Sequence, residues 1–292
     1  MMNDPIYSIC MCNYNMEATL VASLESILSQ VNDKFEVIVV DDGSNDKSIL
    51  IIKTLQNKWP QLRLVSLKRN KNRKLGYTRN VSIRKARGKY ILLHLDCDDL
   101  WKPFISDFIV AYHQIENAVN KPFYLAGEHI HIARRDFLIK HGPFINIYRG
   151  EDRELWGRLI KINAFIQLRH KLFFQRIPKT GLKYYTSTIF NTWDHMITDF
   201  RSGTTLLNFI YYEFKKRNNM GYQLRLLRAF FSFPAFLKAR YMGSLKVESH
   251  DPELIGKYRE TSKATLSEIL HKYNKKTNFK KFKSKKAVEI FK

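Results

Sequence analysis

Short apolar runs alternate with amphipathic ones along the first hundred residues, and this alternation constrains the fold more than any other feature of the chain. "IYSICMC" (6–12) reads as a buried strand, and the segment 13–30 then sets Leu20, Leu24, Ile27 and Leu28, with Val31 just beyond it, at helical spacing. "FEVIVVDDGS" (35–44) is a second strand. Residues 45–59 open with N-cap chemistry before an amphipathic helix that Pro60 follows. A third strand is expected over 62–70, a helix closed by Gly88 over 76–88, and a fourth strand over 89–96. Strands alternating with helices require right-handed crossovers, which gives an α/β fold with a mostly parallel sheet flanked by helices.

Ligands of such sheets sit beyond the carboxyl ends of the strands. Both acidic clusters fall there, Asp41–Asp42 after the second strand and Asp96, Asp98 and Asp99 after the fourth. The loop 68–74, "KRNKNRK", brings five Lys/Arg to the same rim. Carboxylates to hold a cation beside bases to hold phosphate make a nucleotide-like pattern. Carboxylates at Asp96 and Asp98, two residues apart, suit a hard divalent cation bound mainly by oxygen. The cation would bridge a diphosphate and take up the charge of a departing phosphate. The alternative is that Asp98 and Asp99 cap a following helix.

The net charge is +23, which points to a polyanionic partner: nucleic acid, an anionic membrane face or a phosphorylated substrate. Residues 1–150 carry 21 Lys/Arg against 15 Asp/Glu, and the rest carry 29 against 12, so most of the excess lies away from the acidic clusters. Cys10, Cys12 and Cys97 form neither a disulfide framework nor a zinc knuckle, which fits a reducing cytosol. "MMNDPIYSICMC" lacks a basic n-region and a long apolar core, and no run of about 18 apolar residues occurs. The expected location is cytoplasmic, soluble or peripheral on the cytoplasmic membrane face.

The segments "YSICMCNYN", "SILSQ", "FEVIVVDDGSNDKS", "GYTRNVSIRKARGKYILLHLDCDDLW" and "RGEDRELWGRL" follow one another in an order and spacing that resembles family 2 glycosyltransferases with the GT-A fold. The resemblance covers about residues 5–165. It implies an inverting, hexosyl-type transfer from a nucleotide-diphosphate sugar, a UDP- or GDP-sugar, onto an acceptor hydroxyl of a glycan or lipid-linked molecule, assisted by Mg²⁺ or Mn²⁺. Matched by position, Asn13, Tyr14 and Asn15 with Asp41 and Asp42 would form the nucleoside-binding wall, the two acids accepting hydrogen bonds from base and ribose. Arg79 would serve base or phosphate. Asp96 would face the ribose and the metal, Asp98 would be the direct metal ligand, and Asp99 a helix cap or a support behind it. Asp152 falls on the position of the general base, with Glu151 as runner-up and acids stabilising a helix N-terminus as the structural alternative. Trp156 would floor the acceptor site or join the core. His129 and His131, two apart on an expected strand, would share one face; metal binding, which needs more ligands nearby, ranks below an acceptor-facing or core role. His170 and Arg176 could reach the diphosphate from a later loop.

The expected organisation is a GT-A catalytic domain over 1–185, with a nucleotide-sugar-binding half (1–100) and an acceptor half (101–185), followed by a basic helical region over 186–292. Residues 204–247 are expected to form two or three helices interrupted by Gly221 and Pro234, with "FFSFPAF" (230–236) touching lipid or a partner. The tail 272–292 sets nine lysines against Glu289 and reads as a helix at its start and loose chain beyond. Such a region suits an anionic bilayer surface, worth roughly 1 kcal/mol per basic residue; helices packed on the catalytic domain with a solvated basic face are the alternative. A nucleic-acid-binding protein is disfavoured, because the bases form no reading motif and the strand-end carboxylates repel phosphate. Another nucleotide-using transferase on the same sheet is the remaining competitor. A dehydrogenase fails for want of a G-x-G-x-x-G after the first strand.

Overall fold

The computed structural model describes residues 4–147, 150–178, 182–201, 203–215, 222–245, 258 and 261–292. Its centre is a sheet of seven strands: β1 (Tyr7–Asn13), β2 (Phe35–Asp41), β3 (Leu62–Ser66), β4 (Tyr90–Leu93), β6 (Tyr124–Ala126), β7 (His131–Arg134) and β8 (Phe165–Gln167). The order is β3-β2-β1-β4-β7-β6-β8, parallel from β3 to β4 and between β6 and β8, with β7 antiparallel to both its neighbours. A separate antiparallel pair joins β5 (Asp99–Trp101) to β9 (Phe174–Arg176).

The strands alternate side chains between two cores, as a period of two requires. Ile9, Met11, Val37, Val39 and Leu92 enter one core with α1 (Glu17–Leu28), α2 (Ser48–Lys58) and α4 (Ile105–Val119). Cys10, Ile38, Ile91 and Leu93 enter the other with α3 (Leu75–Lys85), α5 (Arg135–His141) and α6 (Glu151–Lys161). All seven residues of β2 are buried, the mark of a strand covered on both faces. Because β1 sends one connection to β2 and lies against β4 on its other side, the crevice opens where β1 and β4 part, the place where open sheets bind ligands. Asn13 and Asp41 end two of these strands, and Asp96 follows a third.

Two local expectations change. The helix expected over 76–88 stops at Lys85, and Gly88 lies in the turn beyond it. A Cβ on Gly88 would come within 2.8 Å of the Ser8 nitrogen, so glycine is required by the close passage of β1 and not by a helix cap. Asp99 caps no helix: it begins β5, fully buried, and α4 starts six residues later at Ile105.

Beyond β9, α7 (Leu182–Arg201), α8 (Leu206–Lys215) and α9 (Tyr222–Met242) pack around Met196, Ile197, Phe200, Phe209, Ala235 and Ala239. Pro234 does not interrupt α9, which runs through it; Gly221 lies outside the described residues. The lysine-rich tail is not loose. A helix, Leu266–Lys272, and a last one, Lys285–Phe291, lie against α4, and Leu266, Leu270, Phe282, Ala287 and Phe291 enter the main core. The Lys283 amide donates to Asp107 Oδ1 and the Asn278 amide to Gln114 Oε1, while the nine lysines of the tail stay exposed.

Candidate active site

The first wall of the crevice is built by the turns after β1 and β2. Asp41 is fully buried, its Oδ1 accepting from the Gly43 and Ser44 amides (3.1 and 2.9 Å) and its Oδ2 from Asn13 Nδ2 (2.7 Å) and the Ser44 hydroxyl. These donors belong to its own loops, so Asp41 shapes the wall from behind. Gly43, at φ +80°, makes the turn that aims both amides at it. Asn15 donates its amide to Ser44 Oγ and accepts from the Asn45 amide, tying the two turns together. Asp42 stands at the rim, paired with Arg69 (2.9 Å) and with Arg73, and the exposed Tyr14 ring lies 4.3 Å from the Arg69 guanidinium.

The second wall follows β4. Asp96 Oδ2 is 3.6 Å from His129 Nε2, and Asp99 Oδ2 is 3.1 Å from the same nitrogen. Among the described residues, Asp96, Asp99 and His129 are the group whose ligand atoms all lie within 4.8 Å of one another. Two carboxylate oxygens and an imidazole suit Mg²⁺ or Mn²⁺, oxygen-preferring ions of which Mn²⁺ also accepts imidazole, so the donor chemistry fits a divalent cation. Asp98, expected as the direct metal ligand, is not in this group: it is buried, its carbonyl accepts from the Ile177 amide (2.7 Å), and its Oδ2 is 3.6 Å from Arg176 Nη1. Desolvation opposes it, but the nearby His129 imidazole and the charges of Arg79 and Arg176 hold the Asp96 carboxyl well below the usual carboxylate range. Burial likewise opposes charge on His129, whose pairing with the Asp96 and Asp99 carboxylates nevertheless pushes its imidazole up to about 9.

The third element is α6, entered through Gly150 at φ +85°, with Glu151, Asp152 and Glu154 in its first turn, where the helix dipole favours them. Glu151 is buried and paired with Arg79 Nε at 3.0 Å. Burial pushes the Glu151 carboxyl up to about 7, the Arg79 guanidinium opposing and the Asp152 carboxylate adding to it. Asp152 stays partly exposed, its Oδ1 accepting from the Arg153 amide. The Arg79 guanidinium feels Glu151, Asp96 and Asp152 together, which holds it well above its usual range despite burial and joins the acid cluster to the start of α6.

Several side chains singled out in the sequence go elsewhere. His129 and His131 do not share a face: the turn at 127–130, with His129 at φ +67°, ends before β7, so His129 reaches the acids while His131 stacks on Trp156 at 5.6 Å in the core. Trp156 is therefore core. His170 is buried among Phe108, Phe173 and Phe291, Nε2 accepting from the Glu128 amide (2.8 Å), and burial pulls its imidazole down to about 4. His129 is the site residue that periodicity misplaced. The available signal was a glycine two residues before it, which allows the chain to turn.

A family model described as glycosyl transferase family 2 matches residues 8–174, more than half of the chain. An uncharacterised glycosyltransferase of Haemophilus influenzae is 40% identical over 98 residues, 34% of this chain and 38% of that one. The Escherichia coli UDP-Glc:alpha-D-GlcNAc-diphosphoundecaprenol beta-1,3-glucosyltransferase WfaP is 36% identical over 96 residues, 33% of this chain and 36% of that one. These alignments thus span little more than a third of the curated relatives' length. Among solved structures, S. aureus TarS 1–349 superposes with a TM-score of 0.51 at 18% identity, over 81% of this chain and 72% of that one, which is a likeness of fold.

Proposed function

The chain belongs to glycosyl transferase family 2, and on that premise we propose that it transfers a hexosyl group, with inversion, from a UDP- or GDP-sugar onto a hydroxyl of a glycan or lipid-linked acceptor. The observation that supports this reading best is the convergence of Asp96, Asp99 and His129 at the crevice mouth, across Arg79 from the first turn of α6. Asp96 belongs both to the Asp96–Asp98 pair of the motif and to the converging set, and is the metal ligand we put first. A bound Mg²⁺ or Mn²⁺ would supply Lewis-acid stabilisation of the departing diphosphate. The chain's own residues do the rest: Tyr14, Asn15 and Asp42 edge the nucleoside, with Asn13 and Asp41 fixing their turns, and Arg69 and Arg73 line the rim. Asp152 takes the proton of the acceptor hydroxyl as its oxygen bonds to the anomeric carbon and the bond to the diphosphate breaks on the opposite face. Thermal melting with UDP- and GDP-sugars tests the donor class. One of them should raise the melting temperature in Mn²⁺ and not in EDTA, and no shift with any nucleotide would sink the reading.

Membrane attachment belongs to the same proposal, with the catalytic unit made of 1–185 together with the tail helices that enter its core. No helix among the described residues is long and apolar enough to cross a membrane. Helix α9 is apolar on two opposite faces: Ser232, Ala235 and Ala239 are buried, whereas Leu226, Phe230, Phe233, Leu237 and Tyr241 form an outward stripe, Phe230 74% and Tyr241 94% exposed. Lys238 and Arg240 flank the stripe, the arrangement of a helix that lies in an anionic interface. The intact chain should float with anionic vesicles, and a Phe230→Glu/Phe233→Glu variant should not. Equal partitioning of the two would refute attachment through α9.

A further inference from the structure

The converging acids already enclose a cation, the guanidinium of Arg176. Pairing of β5 with β9 sets Arg176 directly opposite Asp99, which puts both side chains on one face of the ribbon. Its Nε donates to Asp99 Oδ1 (3.1 Å) and its Nη2 to Asp96 Oδ2 (3.1 Å), Nη1 is 3.6 Å from Asp98 Oδ2, and Nη2 is 3.0 Å from His129 Nε2. Of these, Asp96, Asp99 and His129 are the groups a divalent ion would use. An ion held at about 2.0–2.2 Å from its ligands leaves no room for a guanidinium within hydrogen-bond distance of the same atoms. The seat of Arg176 is also imperfect: His129 Nε2 cannot donate to Asp99 and accept from Arg176 at once. The arginine side chain is 49% exposed at the end of a three-residue strand, so it can leave without opening the core.

We propose that Arg176 is an exchangeable cation, seated on Asp96, Asp98, Asp99 and His129 until a divalent ion enters, and then released to pair with the diphosphate of a nucleoside diphosphate donor. This rests on the metal-assisted reading above and adds an order of events to it. While Arg176 is seated, it offsets part of the charge of the three carboxylates without a metal. Once released, its planar fork matches two phosphate oxygens, a geometry a lysine lacks. Divalent ion and nucleotide then bind cooperatively, because the first frees the group that the second needs.

Mn²⁺ binding followed by loss of the free-ion electron paramagnetic resonance signal tests this on the full chain and on Arg176→Gln. Without nucleotide, the variant should bind Mn²⁺ about tenfold more tightly, the equivalent of one competing contact removed. In saturating Mn²⁺ it should bind UDP more weakly than the natural chain. Equal or weaker Mn²⁺ binding by Arg176→Gln overturns the exchange and leaves the metal-assisted reading standing; no Mn²⁺ binding by either chain overturns both. On the unaltered protein, phenylglyoxal labelling of Arg176, read by peptide mass spectrometry, should speed up on adding Mn²⁺ and slow again on adding UDP. Labelling indifferent to bound Mn²⁺ also overturns the exchange, whether or not the variant folds.

Discussion

Asp152→Asn is expected to lower turnover by about 10²–10⁴-fold, the usual contribution of a general base, with Mn²⁺ and nucleotide binding unchanged. The two adjacent acids at the start of α6 differ in what they can reach. Asp152 is partly exposed on the first turn, while Glu151 is buried with its carboxylate against Arg79. The Glu151 carboxyl, pushed up to about 7, has the more favourable proton affinity for a base. Geometry decides first, however, and a carboxylate locked on a buried guanidinium cannot meet an acceptor hydroxyl. Steady-state rates with the donor found by thermal melting, together with UDP binding, separate the outcomes. A kcat within error of the natural chain's would remove Asp152 from the role; loss of nucleotide binding alongside kcat would mean that the side chain supports the fold of the site.

The part of this architecture legible from the sequence is the part governed by local periodicity. The seven buried residues of β2 and the acids that close β2 and follow β4 are read directly from a run of Val and Ile that ends in Asp. Features set by chain reversal or distant packing were not legible. His129 looked like a strand residue two before His131, yet the turn between β6 and β7 shifts the register, and one residue of shift exchanges the faces of a strand. The lysine-rich tail looked solvated because charge dominates its composition. Its Phe282, Ala287, Ile290 and Phe291 are buried while the lysines stand outside, an amphipathic pattern too short for periodicity to detect. Arg176, in a three-residue edge strand, carries no local signal of the acids it meets.

Arg79→Met is expected to destabilise the fold by about 3–5 kcal/mol, the usual penalty for leaving one member of a buried ion pair without the other. Arg79 and Glu151 are both under 10% exposed and 3.0 Å apart, and Arg79 also balances Asp96 and Asp152. Removing the guanidinium leaves Glu151 with burial and Asp152 both raising its carboxyl and with Arg79's opposition gone. The sign of the pH dependence follows. A carboxyl whose folded value lies above its unfolded value holds its proton better in the folded state, so the variant should lose stability as pH rises through that window and regain it toward pH 5. Adding Glu151→Leu should restore much of the loss at pH 8, since an apolar side chain of similar volume needs no partner. Thermal melts of the single and double variants at pH 5 and 8 measure this. A single variant that melts with the natural chain, or a double variant no more stable than the single, would show that the pair does not hold α3 to α6.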